Sequence, residues 1–552
     1  MRNVLRTVAR FLPVGFLTLG WLSVSPAISA TYLVDSIIDA LDANLDDGIC
    51  ETSTGDCTLR AAIDQANSSL EHDTIEFAIT GTINLGFGFL LINRDVTVVG
   101  PGADNLTVSA NNSSFRVFKI DGEGNDLTVS VSGLKVTGGN PPLTDNNGAG
   151  GGILVVGDTT SLNLDSCIIT NNQASVVGGG VANRASTTTI NTSTISNNIA
   201  MFGGGGIINT GTMTINNSIV SDNEVSSGSG GGIYNDIGEI MLINSSISNN
   251  TASDSGGGIV VSGIVDNTSV ISIINSTIIL NRSTSLDIPG ADGIVLLGMN
   301  ETAMLHNTII SDNIKGNCSR RSIANSAFFS LGSNLSSDRS CDDFLDAPGD
   351  RNNIDPRLGP LQDNGGLTQT HALLAGSPAI DTGDESACPS DDQRGIERPQ
   401  DGDLDGLARC DIGAYERQAS PPSESTSCFI ATAAFGTPMA QEVRTLCAFR
   451  DTYLLTHRPG RVFVSWYYRY SPPVADFLRH KEMLRSAVRL ALLPVITVSR
   501  FWLEGTVAQK WLATVIFTLF SLGMIVLTSK MLLGDKWKKV SGIPSVPYTP
   551  GR

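Results

Sequence analysis

The chain has 552 residues, of which 58 are glycine, 16% are charged and 6% are aromatic. Near-neutral mean hydropathy argues against general disorder, and the composition favours one long repetitive unit over several unrelated domains of roughly 150 residues each. Residues 31–420 hold 47 Asp and Glu against 17 Lys and Arg, a net of −30, whereas residues 421–552 hold 7 against 16, a net of +9. So acidic a body repels phosphate backbones, which excludes nucleic acid as a partner and favours neutral or cationic surfaces and divalent cations.

In chain order, Arg2, Arg6 and Arg10 form a basic start, Phe11 to Val24 an apolar run, and Ala27, Ser29 and Ala30 a small-residue cleavage region. This reads as a secretory signal peptide over 1–30. Pro13 and the short apolar run disfavour an N-terminal anchor. Residues 50–67, CETSTGDCTLRAAIDQAN, offer a cysteine-bounded loop and then a short helix with Leu59, Ala62, Ile63 and Ala66 on one face. They predict an N-terminal cap over 31–90. The stretch Cys57-Thr58-Leu59-Arg60-Ala61-Ala62 resembles the CSLREA-type motif that precedes β-helices in bacterial surface proteins.

A repeat fills 91–357. Glycine clusters end at Gly152, Gly180, Gly206, Gly232 and Gly258, with intervals of 28, 26, 26 and 26. A second marker is the Asn that closes phrases such as SNN or SDN, at Asn172, Asn198, Asn223, Asn250, Asn281 and Asn313. Three positions before it stand Ile169, Ile195, Val220, Ile247, Ile278 and Ile310; eight before it, Leu164, Ile190, Ile215, Leu242, Ile273 and Leu305. Six before it stand turn formers, Ser166, Thr192, Asn217, Asn244, Asn275 and Asn307. Short strands joined by polar turns, repeating without helical period, predict an all-β fold. The architecture is a parallel β-helix of the pectin-lyase-like kind, right-handed by the chirality of parallel crossovers. About four buried apolar side chains per rung, at ~1.5–3 kcal/mol each, suffice to hold such a stack. The glycine clusters are expected to allow sharp bends. Cys167 falls in the column five before the marker, among small inward residues, and is expected to be a buried unpaired thiol.

Residues 358–417 follow as a C-terminal cap. Three of their blocks, NGGLTQTHALLAGSPAID (364–381), DQRG (392–395) and CDIGAYE (410–416), resemble the choice-of-anchor Q domain, with the insertion DGDLDGLAR before Cys410 as a departure. That resemblance implies an exported β-helix protein with a variable anchoring device, and no established catalytic activity. A linker, 418–427, leads to 428–505, where CFIATAAFG, LCAFRDTYLL and WYYRYSPPVADFL resemble the CFI-box C-terminal domain of bacterial exported proteins. That domain is expected to be a small α-helical one. Trp511 to Ser529 is nineteen residues without a charge, close to the ~20 that cross a bilayer. Lys530, Lys536, Lys538 and Lys539 follow, so the tail 530–552 is expected to be cytoplasmic. The nine residues Leu490–Val498 are too short to span and are expected at the interface.

Nine cysteines in an exported chain suggest local disulfides. The preferred pairings are Cys50 with Cys57, Cys318 with Cys341, Cys388 with Cys410, and Cys428 with Cys447. The alternating carboxylates Asp401, Asp403 and Asp405, closed by Gly406, match the start of an EF-hand-type loop and make calcium the candidate cofactor. The twelfth position is Ile412 in place of Glu. A weaker run is Asp42-x-Asn44-x-Asp46-Asp47-Gly48. Catalysis by a lyase needs carboxylates beside a basic residue, but the basic side chains of 140–315 are only Arg184, Arg282 and Lys315, which are expected to lie widely separated along the stack. Asp222 with Glu224, or Asp236 with Glu239, are the nearest carboxyl pairs, and solvated turns explain both; no catalytic residue is assigned. His371 reads as structural.

The sequence thus predicts an exported bacterial surface protein, held in a membrane by 511–529, with a structural or adhesive stalk that meets carbohydrate or protein. The alternative is a polysaccharide-active enzyme on the same fold, distinguished by whether carboxylates and a basic residue converge in one groove. A third reading makes the C-terminal region a processing signal.

Overall fold

The structure, a computed structural model, describes residues 29–418 except 286–290 and 322–324, together with 441–450, 453 and 482–504. The expected signal peptide (apart from Ser29 and Ala30), the span 511–529, the basic tail and Cys428 lie outside the described residues. Two compact units divide near residue 419.

The first unit is a parallel β-solenoid. Among the described residues, successive turns of chain lay down parallel sheets of eleven, ten, nine and five strands, each strand pairing with its counterpart in the next turn. The columns read from the sequence are the observed register. Leu164, Ile190, Ile215, Leu242, Ile273 and Leu305 are successive partners in the eleven-stranded sheet. Ile169, Ile195, Val220, Ile247, Ile278 and Ile310 are partners in the ten-stranded one. All of these are buried in one continuous core. Both faces of that core come from strands with period two, so each column stacks one kind of side chain along the axis.

The turns follow from two positions per rung held in the left-handed region. The column six before the marker has φ of 52° at Ser166, 47° at Thr192, 50° at Asn217 and 47° at Asn244. The residue just before the marker repeats this, with φ of 55° at Asn171 and Asn197 and 56° at Asp222. Asn and Asp tolerate that region better than other side chains, which accounts for their abundance.

The two sequence markers meet in one contact. In each glycine cluster an early glycine bends the chain, as at Gly204 with φ of 59°. The last glycine has a different task. A Cβ on Gly206 would stand 2.8 Å from the Gly232 carbonyl oxygen and 2.9 Å from the Asn223 side-chain nitrogen. The marker asparagines occupy that space and form a buried ladder. Asn172 Nδ2 donates to Asn198 Oδ1 at 3.1 Å, and Asn198 to Asn223, Asn223 to Asn250, Asn250 to Asn281 and Asn281 to Asn313 each do so at 3.0 Å. Each Oδ1 also accepts the backbone N–H of the preceding marker. The backbone polar groups of these turns are therefore satisfied inside the stack. A second interior ladder runs from Asn183 through Asn209 to Asn235.

The segment 31–90 does more than cap. Thr31–Val34 pairs with Asp73–Phe77 at the start of the eleven-stranded sheet, and Gly81–Asn84 and Leu90–Ile92 open two others. The stack therefore begins well before residue 91. Helix α1, Leu59–Ser68, starts as expected, with the Thr58 hydroxyl accepting the Ala61 N–H, and buries Leu59, Ala62, Ile63 and Ala66. Arg60 is buried with it and paired with Asp39 at 2.7 Å.

Residues 358–417 also depart from expectation. They do not close the open end; there, Cys341 and Leu345 are buried in the main core and Phe344 stacks on Phe328, with ring centroids 4.6 Å apart. Residues 358–417 instead run back along the flank of the ten-stranded sheet. Gln393 Oε1 accepts from the Ser246 hydroxyl, the Thr368 hydroxyl donates to the Asn217 carbonyl, and Asn275 and Asn307 reach the carbonyls of Asp411 and Asp384. Outward residues Ile309 and Leu335 form a small second core there with Leu373, Ala379, Ile380 and Ile412. A parallel sheet face that bears such apolar residues needs a cover, and this segment supplies it.

Disulfides join Cys50 to Cys57, Cys318 to Cys341 and Cys388 to Cys410. Cys167 is a buried free thiol, its pKa pushed up to about 11 by burial. The second unit contributes α2, Gln441–Phe449, and α3, Glu482–Glu504, which pack on each other. The stretch 490–498 lies within α3. Among the described residues no helix is long and apolar enough to cross a membrane.

Candidate functional site

Among the described residues three places bear the residue types that do chemistry, and the fold treats each differently. In the acidic loop near the N-terminus, Asp42 Oδ1 and the Asn44 carbonyl both accept from the Gln65 side-chain nitrogen, at 3.0 and 2.8 Å. An amide group thus occupies the centre toward which the weaker calcium-like run converges.

The run at 401–406 is assembled otherwise than its spacing suggests. Asp401 and Asp403 come together with Asp381, their ligand oxygens all within 4.8 Å of one another, and Asp405 is not part of the group. Asp405 Oδ1 instead accepts the Leu407 N–H at 2.8 Å. Asp381 lies twenty residues upstream and is buried; its oxygens accept the N–H groups of Gly402 and Asp403 at 3.1 and 2.8 Å. Burial raises its pKa, and the nearby Asp403 and Asp401 charges add to that. Ile412, at the place of an EF-hand's closing Glu, is in the flank's apolar core. Three hard oxygen donors fit calcium by type, but calcium takes six to eight oxygens, so the cluster supplies a partial set.

Beside it lies a buried ionic network. Arg398 pairs with Glu416 at 2.9 Å with both side chains fully buried, and Arg394 pairs with Asp392 at 2.6 Å. Arg394 also lies over the Tyr415 ring, 3.6 Å from its centroid. Burial pushes Asp411 up to about 8, with repulsion from Glu416 adding to it. His371 Nδ1 donates to the Gly359 carbonyl at 2.9 Å, so the neutral ring accepts the Ser248 hydroxyl at Nε2, also at 2.9 Å. Burial lowers its pKa. The blocks DQRG, CDIGAYE and THALL thus place their polar side chains in a dry seam that fastens the flank to the solenoid. They offer no open reacting position.

The third place is a cleft of about 300 Å³ on the outer face of the nine-stranded sheet, lined by Val177, Arg184, Ala185, Ile208, Thr210 and Asp236. Arg184 ends the strand Val181–Arg184, and Asp236 ends Ile233–Asp236, two rungs on. Thr210 occupies the same outward column between them. Arg184 and Asp236 are each half-buried. Among the described residues neither side chain makes a hydrogen bond or ion pair. Burial lowers the pKa of Arg184, with the Arg116 charge adding to the effect, and burial raises that of Asp236. Next to them Tyr234 is partly buried against the outward apolar row of Leu154, Ala182 and Ile208.

Asp236 and Glu239 are expected from the sequence to be solvated turn residues; Glu239 is exposed, but Asp236 is half-buried at a strand end and shares the cleft with Arg184. A signal was present: each of Arg184, Thr210 and Asp236 stands four residues after the last glycine of its cluster. Counting forward from the glycine marker aligns them. Asp222 and Glu224 are exposed, as solvated turn residues are. Arg282 lies on the short five-stranded sheet, bonded to the Thr251 hydroxyl at 3.1 Å. Lys315 donates to the Ser285 carbonyl.

No protein-family model and no curated protein matches the chain. Among solved structures it is similar to the A-module of the mannuronan C-5 epimerase AlgE6 of Azotobacter vinelandii, at 14% identity over 50% of this chain and 81% of that one, with a TM-score of 0.32. A likeness of that size bears on neither substrate nor reaction. The described residues build a parallel β-solenoid with a strapped flank and a charged lateral cleft.

Proposed function

We propose that the protein is an exported bacterial surface protein, anchored through 511–529, whose solenoid is a stalk that binds carbohydrate without cleaving it. The observation that carries this reading is the arrangement of the cleft. It offers one unpaired guanidinium, one unpaired carboxyl, a hydroxyl and an apolar floor, which suits recognition of a hydroxyl-rich chain. Inverting hydrolysis asks for two carboxyls roughly 6.5–9.5 Å apart, and the cleft lining contains a single one. The asparagine ladder supports a stiff display element, because the rungs from Asn172 to Asn313 are tied to one another by buried hydrogen bonds. The signal-like start and the nineteen uncharged residues near the end support export and anchoring.

A polysaccharide-active enzyme is the second reading, favoured by the convergence of Arg184 and Asp236 in one cleft. Full-length protein in detergent, incubated with acidic and neutral polysaccharides, separates the two. Retention on a polymer whose length does not change is the expected result. Chain shortening or a new unsaturated end would replace the stalk with an enzyme.

A further inference from the structure

We infer that the cleft at Arg184, Thr210 and Asp236 is a binding site for a carboxylate-bearing saccharide. The sugar acid group sits on Arg184, and hydroxyls of an adjoining unit sit on Asp236. This deepens the proposed function and rests on it for the saccharide class.

The argument starts from two unmet needs. A guanidinium has five donors in a flat fork that matches a carboxylate bidentately. Half-burial removes part of its water, yet Arg184 meets no acceptor side chain in the described structure, although residues 31–420 carry 47 carboxyl side chains. The neighbouring cation, Arg116, is already held by Asp145 at 2.8 Å. Arg184 is thus an uncommitted cation recessed in an acidic body, and the group that completes it is an anion from outside.

Asp236 has the opposite need. A half-buried carboxyl with no donor of its own takes hydroxyl or N–H donors. Rungs are about 4.8 Å apart, so the two side chains start roughly 10 Å apart along the axis, with Thr210 between them. A ligand lying along the column therefore presents an acid group at one end and hydroxyls at the other. Val177 and Ile208 give it an apolar floor, which suits the C–H face of a sugar ring. An acidic peptide carrying a second carboxylate would meet repulsion at Asp236.

Binding of an oligosaccharide in which a uronic acid alternates with a neutral hexose, and of a neutral cello-oligosaccharide of equal length, to the full-length protein, followed by calorimetry at low salt, tests this. The expected result is selective binding of the carboxylated probe. Arg184→Gln should lose about tenfold or more of that affinity, and Asp236→Asn a smaller share. Arg282→Gln, on another sheet, should leave it unchanged. A melting temperature equal to wild type shows that each variant keeps its fold. Equal binding of both probes with an unaffected Arg184→Gln would overturn the site and leave the carbohydrate stalk standing. Binding of neither probe, with an acidic peptide captured instead, would overturn both readings.

Discussion

Asn223 tests whether the ladder holds the stack together. Its Oδ1 accepts the Asn198 backbone N–H at 2.9 Å and the Asn198 side chain at 3.0 Å; its Nδ2 donates to the Ile195 carbonyl at 2.9 Å and to Asn250 at 3.0 Å. Asn223→Ala leaves the Asn198 N–H without an acceptor and strips the Ile195 carbonyl of this donor, both deep in the turn where water does not reach. Each such buried group costs ~1–3 kcal/mol, so the loss should be about 2–6 kcal/mol, a large part of an ordinary folding stability. Asn223→Asp should cost more, because it buries a charge and sets an oxygen against the Ile195 carbonyl. A lower denaturant midpoint with unchanged slope, and faster hydrogen exchange at Asn198 and its neighbouring rungs, are the expected readings. A loss below ~0.5 kcal/mol for the alanine variant, the size of a surface substitution, would refute the claim that the ladder is structural.

Gly206→Ala forces a Cβ against the Gly232 carbonyl and the Asn223 amide; it should lower stability by about 1–3 kcal/mol and shift the Asn198 and Asn223 amide signals together. The flank's attachment should weaken toward acid through His371. Its folded pKa is lowered from 6.5, so its contribution is complete above about 6.5 and is lost as pH falls through the folded value. Asp411 acts with the opposite sign. Its pKa is raised to about 8, so its contribution is present below 3.8 and is lost as pH rises through about 8. Hydrogen exchange of 358–417 against pH checks both, and His371→Gln should remove only the acid limb. Calcium at the Asp381, Asp401 and Asp403 cluster should raise the melting temperature at constant ionic strength, and Asp381→Asn should abolish that rise; equal gains in both proteins would refute binding there.

The rung was legible in the chain alone. Its period of 25 to 26 residues places Ile169, Ile195 and Val220 in one inward column, and the left-handed positions at Asn217 and Asn244 explain why turn formers recur there. These are properties of one turn of chain repeated, so periodicity exposes them. The helix at Leu59–Ser68 and three disulfides, each between cysteines no more than 23 residues apart, were legible because they too are local. What lies between distant segments was not. The flank's place against the solenoid depends on Ser246 meeting Gln393, 147 positions later, and no period links them. Asp381 joins Asp401 and Asp403 only because the flank folds back on itself, which also carries Asp405 away. The cleft stands between these cases. The spacing from Gly180 to Arg184 repeats from Gly232 to Asp236, so their shared column is written in the chain. That the column faces outward, is floored by Val177 and Ile208, and leaves both charges without a partner among the described residues follows from how successive turns pack against one another, a long-range matter that no period in the chain records.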